Sequence, residues 1–252
     1  MDLKNETLQL WCAYPDDVLA NGVAEACYPL LSEDEHRRLQ EFRFERHRSE
    51  FLTTRVLVRT ALSHYHPLAP ESWRFRLNNY GKPTIDPECG LRFNLSNSLG
   101  LVVCLIAQDA EVGVDVEPYE RAGSIVEVAP TVFSLLELTQ LEALCGVEKM
   151  DRALSLWTLK EAYIKARGMG LSLPLNKFSF LFGGAEGIRL ELDPCLGDDG
   201  RSWRFCLVEH AGHRIALMAE RSTAPVLQCW EARPLLASPK RLAAYGESWF
   251  PR

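Results

Sequence analysis

The order of elements predicts an α+β fold made of two α+β halves in one chain. Segments with helical spacing are followed by short runs with strand alternation, and this succession occurs twice. A length of 252 residues is enough to bury a core in each half. No residue-level repeat accompanies the succession, so the expectation rests on element order. The halves are expected at 1–120 and 121–252, joined near 118–124, with the tail from about 230 as an irregular strap on the second.

LQLWCAY reads as a first strand, and SEDEHRRLQEF opens with a capping box, Ser32 with Glu35, that starts a helix. The spacing of Phe51, Arg55, Val58 and Leu62 continues helix to about 65, where Pro67 and Pro70 close it. RFRL, LRFNLS, GLVVCLIA and EVGVDVE read as strands separated by Asn78-Asn79, Gly81 and Gly100. SIVEVAPTVF, LLELTQLEALC and DRALSLWTLKEAYIKARGM are helical. FSFLF, GIRLEL, WRFCLVEH and HRIALMAE follow as strands.

Composition is that of a globular protein, 47% hydrophobic and 25% charged. A net charge of −6 argues against a nucleic-acid binder that relies on overall positive charge. The longest apolar run, LVVCLIA, is too short to span a bilayer, and the polar N-terminus does not read as a secretory signal. Eight cysteines without metal spacing read as small thiols in a reducing compartment, so a cytoplasmic location with no membrane partner is expected. Nucleophile-elbow, phosphate-loop, dinucleotide and zincin motifs are absent. The close pairs His64 with His66 and His210 with His213 read as surface or packing residues.

GVDVEPYE, 113–120, sets two acids into a valine-rich strand. Alternation puts Val112, Val114 and Val116 on one face and Gly113, Asp115 and Glu117 on the other. Two residues along a strand is about 7 Å, close enough for both carboxylates to reach one hard cation. A solvent-facing acidic edge explains the pair equally well. WTLKEAYIKARGMGL, 157–171, places Trp157, Glu161 and Lys165 on one helical face, with Gly168 as the terminating residue. Glu161 and Lys165 form either an ordinary surface pair or, with Lys160, part of a magnesium and phosphate site. The NNYGKP turn holds Lys82 on a rigid support, and Ser96 and Asn97 of FNLSNS are hydrogen-bond donors for an anion. Between 36 and 60, seven arginines stand against three glutamates, a solvated helix face or a basic docking patch.

In this order GKP, FNLSNS, VGVDVE, FSLLE and WTLKEAYIKARGMGL resemble the 4′-phosphopantetheinyl transferases of the longer, surfactin-synthetase (Sfp) type, over roughly 45–182. The resemblance implies two similar halves related by a pseudo-twofold, with the active site in the cleft between them. It implies transfer of the phosphopantetheine arm of coenzyme A to a serine of an apo acyl or peptidyl carrier protein, with release of adenosine 3′,5′-bisphosphate. By motif position, Asp115, Glu117 and Glu161 would hold Mg²⁺, and Asp115, Glu161 and Lys165 would form the catalytic set. Lys160 and Lys165 would lie beside the phosphates, Lys82 and Ser96 would contact the nucleotide end, and Arg48 or Arg55 would take the 3′-phosphate. Asn97 stands where the family commonly has histidine, so phosphate binding there should be weaker or differently arranged.

Attack of a serine hydroxyl on the β-phosphorus builds charge on phosphate oxygens, so catalysis is expected from Mg²⁺, lysines and alignment. Glu161 or a metal-bound water would receive the serine proton. An acidic carrier of fatty-acid, polyketide or nonribosomal peptide synthesis would meet the basic segment around Arg43 and Arg46, and a monomer suffices. Two rivals remain: an Mg²⁺-dependent hydrolase of nucleotide pyrophosphates, and a scaffold that binds coenzyme A or a carrier without turnover.

Overall fold

Two units emerge from the packing, and each repeats the same succession of elements. The computed structural model describes residues 3–19, 22–183, 187–233, 235–243, 245 and 248–251. Unit 1 comprises residues 1–76, 83–109 and 226–244, and unit 2 comprises 77–82, 110–225 and 245–252. The division differs from the expected boundaries. The acid-bearing strand opens the second unit instead of closing the first, and much of the expected strap returns to unit 1.

In unit 1, β1 (Thr7–Ala13) leads through α1 (Val23–Cys27) and α2 (Glu33–Glu41) to the long α3 (Glu45–Ser63). A small hairpin, β2 (Phe75–Leu77) with β3 (Pro83–Ile85), precedes the larger hairpin of β4 (Leu91–Ser98) and β5 (Leu101–Gln108). In unit 2, β6 (Val112–Pro118) leads through α4 (Ala122–Val132) and α5 (Leu135–Glu142) to the long α6 (Gly146–Arg167). Again a small hairpin, β7 (Phe178–Gly183) with β8 (Gly187–Leu192), precedes a larger one, β9 (Trp203–His210) with β10 (His213–Glu220). In both units the second strand of the larger hairpin pairs antiparallel with the first strand of the unit, giving the orders β1-β5-β4 and β6-β10-β9. Unit 1 is completed by β11 (Val226–Glu231), parallel to β1, and by the two-residue β12 (Lys240–Arg241). The expected irregular strap therefore contains a strand.

The long helices owe their place to apolar packing. Val56, Leu57, Ala61 and Leu62 of α3 are buried with Trp11 of β1 and Val102, Cys104 and Ile106 of β5. Leu156, Leu159, Ala162 and Tyr163 of α6 are buried with Phe178, Phe205, Ala216 and Met218. All eight cysteines are free thiols, and no described helix is long and apolar enough to cross a membrane.

The repetition reaches individual side chains. Each long helix is preceded by a capping box, Ser32 with Glu35 on α2 and Ser134 with Glu137 on α5. Each box glutamate also grips a buried cation of the long helix: Glu35 binds Arg59 at 2.6 Å and Glu137 binds Lys160 at 2.8 Å. Each cation then ties down the chain beyond its helix. Arg59 donates to the carbonyls of Pro70 and Trp73, and Lys160 to those of Leu175 and Phe178.

Candidate active site

The site is built where α6 lies on β6. A Cβ added to Gly113 would stand 2.0 Å from the Ala162 carbonyl oxygen and 2.5 Å from the Ala166 nitrogen. Both are backbone atoms, so only glycine lets the helix come this close. Because side chains alternate along a strand, Asp115 and Glu117 share this helix-facing side. They are 5% and 6% exposed, which rules out the solvent-facing acidic edge.

Trp157, Glu161 and Lys165, successive turns of α6, meet this pair. Lys165 Nζ donates to Asp115 Oδ1 at 2.7 Å. Glu117 Oε1 accepts the Trp157 indole N–H at 3.1 Å and a short ion pair from Arg121. Glu161 is half-buried and its carboxyl is pushed above the usual range, first by burial and then by the charge of Asp115, with Glu117 adding and Lys165 and Arg121 opposing. The structure thus brings together Asp115, Glu117, Glu161 and Lys165. Helical spacing places Trp157 on this face without marking its bond to Glu117, and sequence reasoning missed Arg121, although it stands four residues beyond Glu117.

Lys160 does not join them. Its side chain is 1% exposed, paired with Glu137 and bonded to two carbonyls, so no donor is left for a phosphate. Burial pulls its ammonium down to about 8 while Glu137 pulls the other way. Lys82 is likewise engaged inside the protein. Its Nζ donates to Glu111 at 2.6 Å, to the Ala166 carbonyl at 2.8 Å and to the Val112 carbonyl at 3.3 Å, which occupies all three donors inside the protein.

The remaining expected residues lie in unit 1. Ser96 is buried and Asn97 exposed, and as neighbours on β4 they face opposite ways, so they do not act as one pair of donors. Asn97 lines a concavity of about 380 Å³ with Phe42, His47, Glu50, Phe51, Thr54 and Arg55. Arg48 lines a different concavity, of about 370 Å³, together with Arg43. This separates the two arginines that spacing left open. Arg55 stands 3.8 Å from Glu35, whose other oxygen is committed to Arg59. Burial holds the Arg55 guanidinium below its usual value, Glu35 opposes this, and neighbouring Arg59 reinforces it. His47 on the same rim was not singled out, since nothing in its local sequence marks it.

Among the described residues, no group of three or more His, Cys, Asp or Glu side chains is placed so that it could hold a metal ion. Asp115, Glu117 and Glu161 are all oxygen donors, the type a hard divalent cation takes, and Glu161 is raised first by burial and then by the charge of Asp115.

Residues 111–218 match the profile of the 4′-phosphopantetheinyl transferase superfamily. A 4′-phosphopantetheinyl transferase of Bacillus subtilis is 29% identical over 75% of this chain and 84% of its own length. The 4′-phosphopantetheinyl transferase Sfp of Bacillus subtilis strain 168 is 32% identical over 68% of this chain and 75% of its own. A holo-(acyl-carrier-protein) synthase of Bacillus anthracis, solved in complex with CoA (3′,5′-ADP), covers 45% of this chain and 96% of its own, at 15% identity and a TM-score of 0.39. The chain belongs to the 4′-phosphopantetheinyl transferase superfamily.

Proposed function

We propose that this enzyme transfers the 4′-phosphopantetheine arm of coenzyme A to a serine hydroxyl of an apo carrier protein in an Mg²⁺-dependent reaction that releases adenosine 3′,5′-bisphosphate. The observation that carries the reading is the meeting of Asp115 and Glu117 from β6 with Glu161 and Lys165 from α6. A bond forms between the serine oxygen and the β-phosphorus, and the bond from that phosphorus to the bridging pyrophosphate oxygen breaks. Asp115, Glu117 and Glu161 would hold Mg²⁺, which supplies positive charge against the charge developing on phosphate oxygens. Lys165 binds a non-bridging phosphate oxygen as a point charge. The serine proton goes to Glu161 or to a water. Within unit 1, the concavity of Arg55 and Asn97 is assigned the 3′-phosphate.

The carrier is an acidic protein. Arg43, Arg46 and Arg48 make no carboxylate ion pair among the described residues, whereas Arg37, Arg38, Arg55 and Arg59 each have one. Arg43 and Arg46 instead lie over the exposed ring of Phe44. Such a patch speeds encounter with an acidic partner and loses effect as salt rises.

The test is the intact mass of an apo acyl carrier protein incubated with enzyme, coenzyme A and Mg²⁺, with and without chelator, beside Asp115→Ala. A gain of one phosphopantetheine that needs both the metal and Asp115 is expected. Adenosine bisphosphate released without modified carrier points to hydrolysis. Coenzyme A binding without any product points to a non-catalytic scaffold.

A further inference from the structure

The start of β6 and the end of α6 are both held by a turn from far earlier in the chain. Within unit 2, Lys82 Nζ reaches Glu111 and the Val112 carbonyl, where β6 begins, and the Ala166 carbonyl, one residue beyond Lys165 on α6. Asn78 completes the attachment. Its Nδ2 donates to the Gly168 carbonyl at 2.8 Å, just past the helix, while its Oδ1 accepts the N–H groups of Tyr80 and Lys82 at 2.9 Å each. Gly168 terminates α6 at φ 63°, and a Cβ there would stand 2.9 Å from Lys82 Cδ, so the lysine stem is laid against the helix end.

We infer that Lys82, oriented by Asn78 and Glu111, is a positioning residue that fixes the register of α6 along β6 and so sets where Glu161 and Lys165 stand relative to Asp115 and Glu117. Core packing and the bare backbone at Gly113 set how closely the helix approaches the strand. Lys82 adds a directional tie at its C-terminal end, because one ammonium bonds simultaneously to the first carbonyl of the strand and to a carbonyl in the helix's last turn. A cation is suited to the task, since the open carbonyls at a helix C-terminus carry partial negative charge. The side chain is only 10% exposed, so these bonds form in a weakly solvated place where they hold geometry firmly.

The inference rests on the carboxylate reading proposed above, and the experiment separates the two. Lys82→Met and Glu111→Gln are compared with wild type and Asp115→Ala by coenzyme A titration calorimetry, by Mn²⁺ binding followed by electron paramagnetic resonance, and by kcat and KM for carrier modification. Glu111→Gln is the milder variant, keeping the turn and weakening the lysine's anchor. A positioning role predicts that both variants weaken Mn²⁺ binding by about 10-fold or more and lower kcat, with coenzyme A affinity held. It also predicts that the double variant is no worse than Lys82→Met alone. If Lys82→Met weakens coenzyme A binding while Glu111→Gln leaves Mn²⁺ binding and kcat intact, the lysine meets a phosphate and the inference is overturned. It is equally overturned if both variants match wild type while Asp115→Ala abolishes Mn²⁺ binding. If Asp115→Ala itself leaves Mn²⁺ binding unchanged, the carboxylate reading falls first and takes the consequence of the register with it.

Discussion

Replacing Lys160 by methionine separates a fold-bearing lysine from a phosphate-binding one. In the structure its ammonium is bonded to Glu137 at 2.8 Å and to the carbonyls of Leu175 at 2.8 Å and Phe178 at 2.6 Å, with both charged side chains essentially unexposed. Removing one partner of a buried ion pair costs about 3–5 kcal/mol, because the other charge is left without compensation. Glu137 keeps the N–H groups of Ser134 and Phe180, which places the loss near the lower end, about 3 kcal/mol. For a chain of this size that is a fall in Tm of about 6–12 °C. Coenzyme A affinity, measured by titration calorimetry below the transition, should be unchanged. A lysine that touched a phosphate would behave oppositely, losing a charge-assisted hydrogen bond of about 1.5–3 kcal/mol from binding. Urea melts give the first quantity and the titration the second. Unchanged stability with coenzyme A bound at least about 10-fold more weakly would refute the structural role. Arg59→Met is the internal control, since Arg59 holds the matching place in unit 1 and should give a loss of the same kind.

Two further outcomes follow from the same geometry. Gly113→Ala drives a methyl into the backbone of α6, so a loss of about 1–3 kcal/mol is expected together with a fall in kcat of about 100-fold as the helix is displaced; near-normal stability and rate would show that α6 yields without consequence. Asp198→Asn tests a second polar cluster, in which this carboxylate accepts from Tyr163, Arg167, the Trp203 indole and the Gly200 N–H. Burial raises the Asp198 carboxyl, but these donors outweigh it and hold the group below its ordinary 3.8. A carboxylate depressed in the folded state adds stability above its unfolded value and loses it as pH falls through the folded one. Wild type should therefore exceed the variant at neutral pH in urea melts, with the gap closing below about pH 4; a gap constant down to pH 2 would contradict this.

Much of the site was legible because it depends on local periodicity. A period of two put Asp115 and Glu117 on one side of β6, and the four-residue step put Trp157, Glu161 and Lys165 on one stripe of α6. The same rule, carried further, would have removed Lys160. At 3.6 residues per turn it stands about 140° around the helix from Lys165, while Glu161 stands only about 40° from it. A motif that keeps both lysines therefore says nothing about both touching phosphate. The partners of Lys82 were hidden for a different reason. Those on α6 lie more than eighty positions later in the chain, and no local pattern announces so distant a hydrogen bond. The parallel pairing of β11 with β1 was hidden in the same way, and with it the return of the tail to unit 1.

The absence of a residue-level repeat and the presence of a structural one have a single physical explanation. What the two units share is a capping-box glutamate that neutralises a buried cation, which in turn closes the carbonyls of the chain leaving the long helix. Arginine does this in unit 1 and lysine in unit 2, with different spacings to the carbonyls they bind. The requirement is for one positive charge with several donors at the end of a buried arm, and that requirement constrains chemistry more than residue identity. It also bears on why the candidate-site carboxylates Asp115, Glu117 and Glu161 all stand on the second unit. With Lys160 holding the far side of α6 in the core, the side bearing Glu161 and Lys165 is left to meet β6, so the fold and the site use different faces of the same helix.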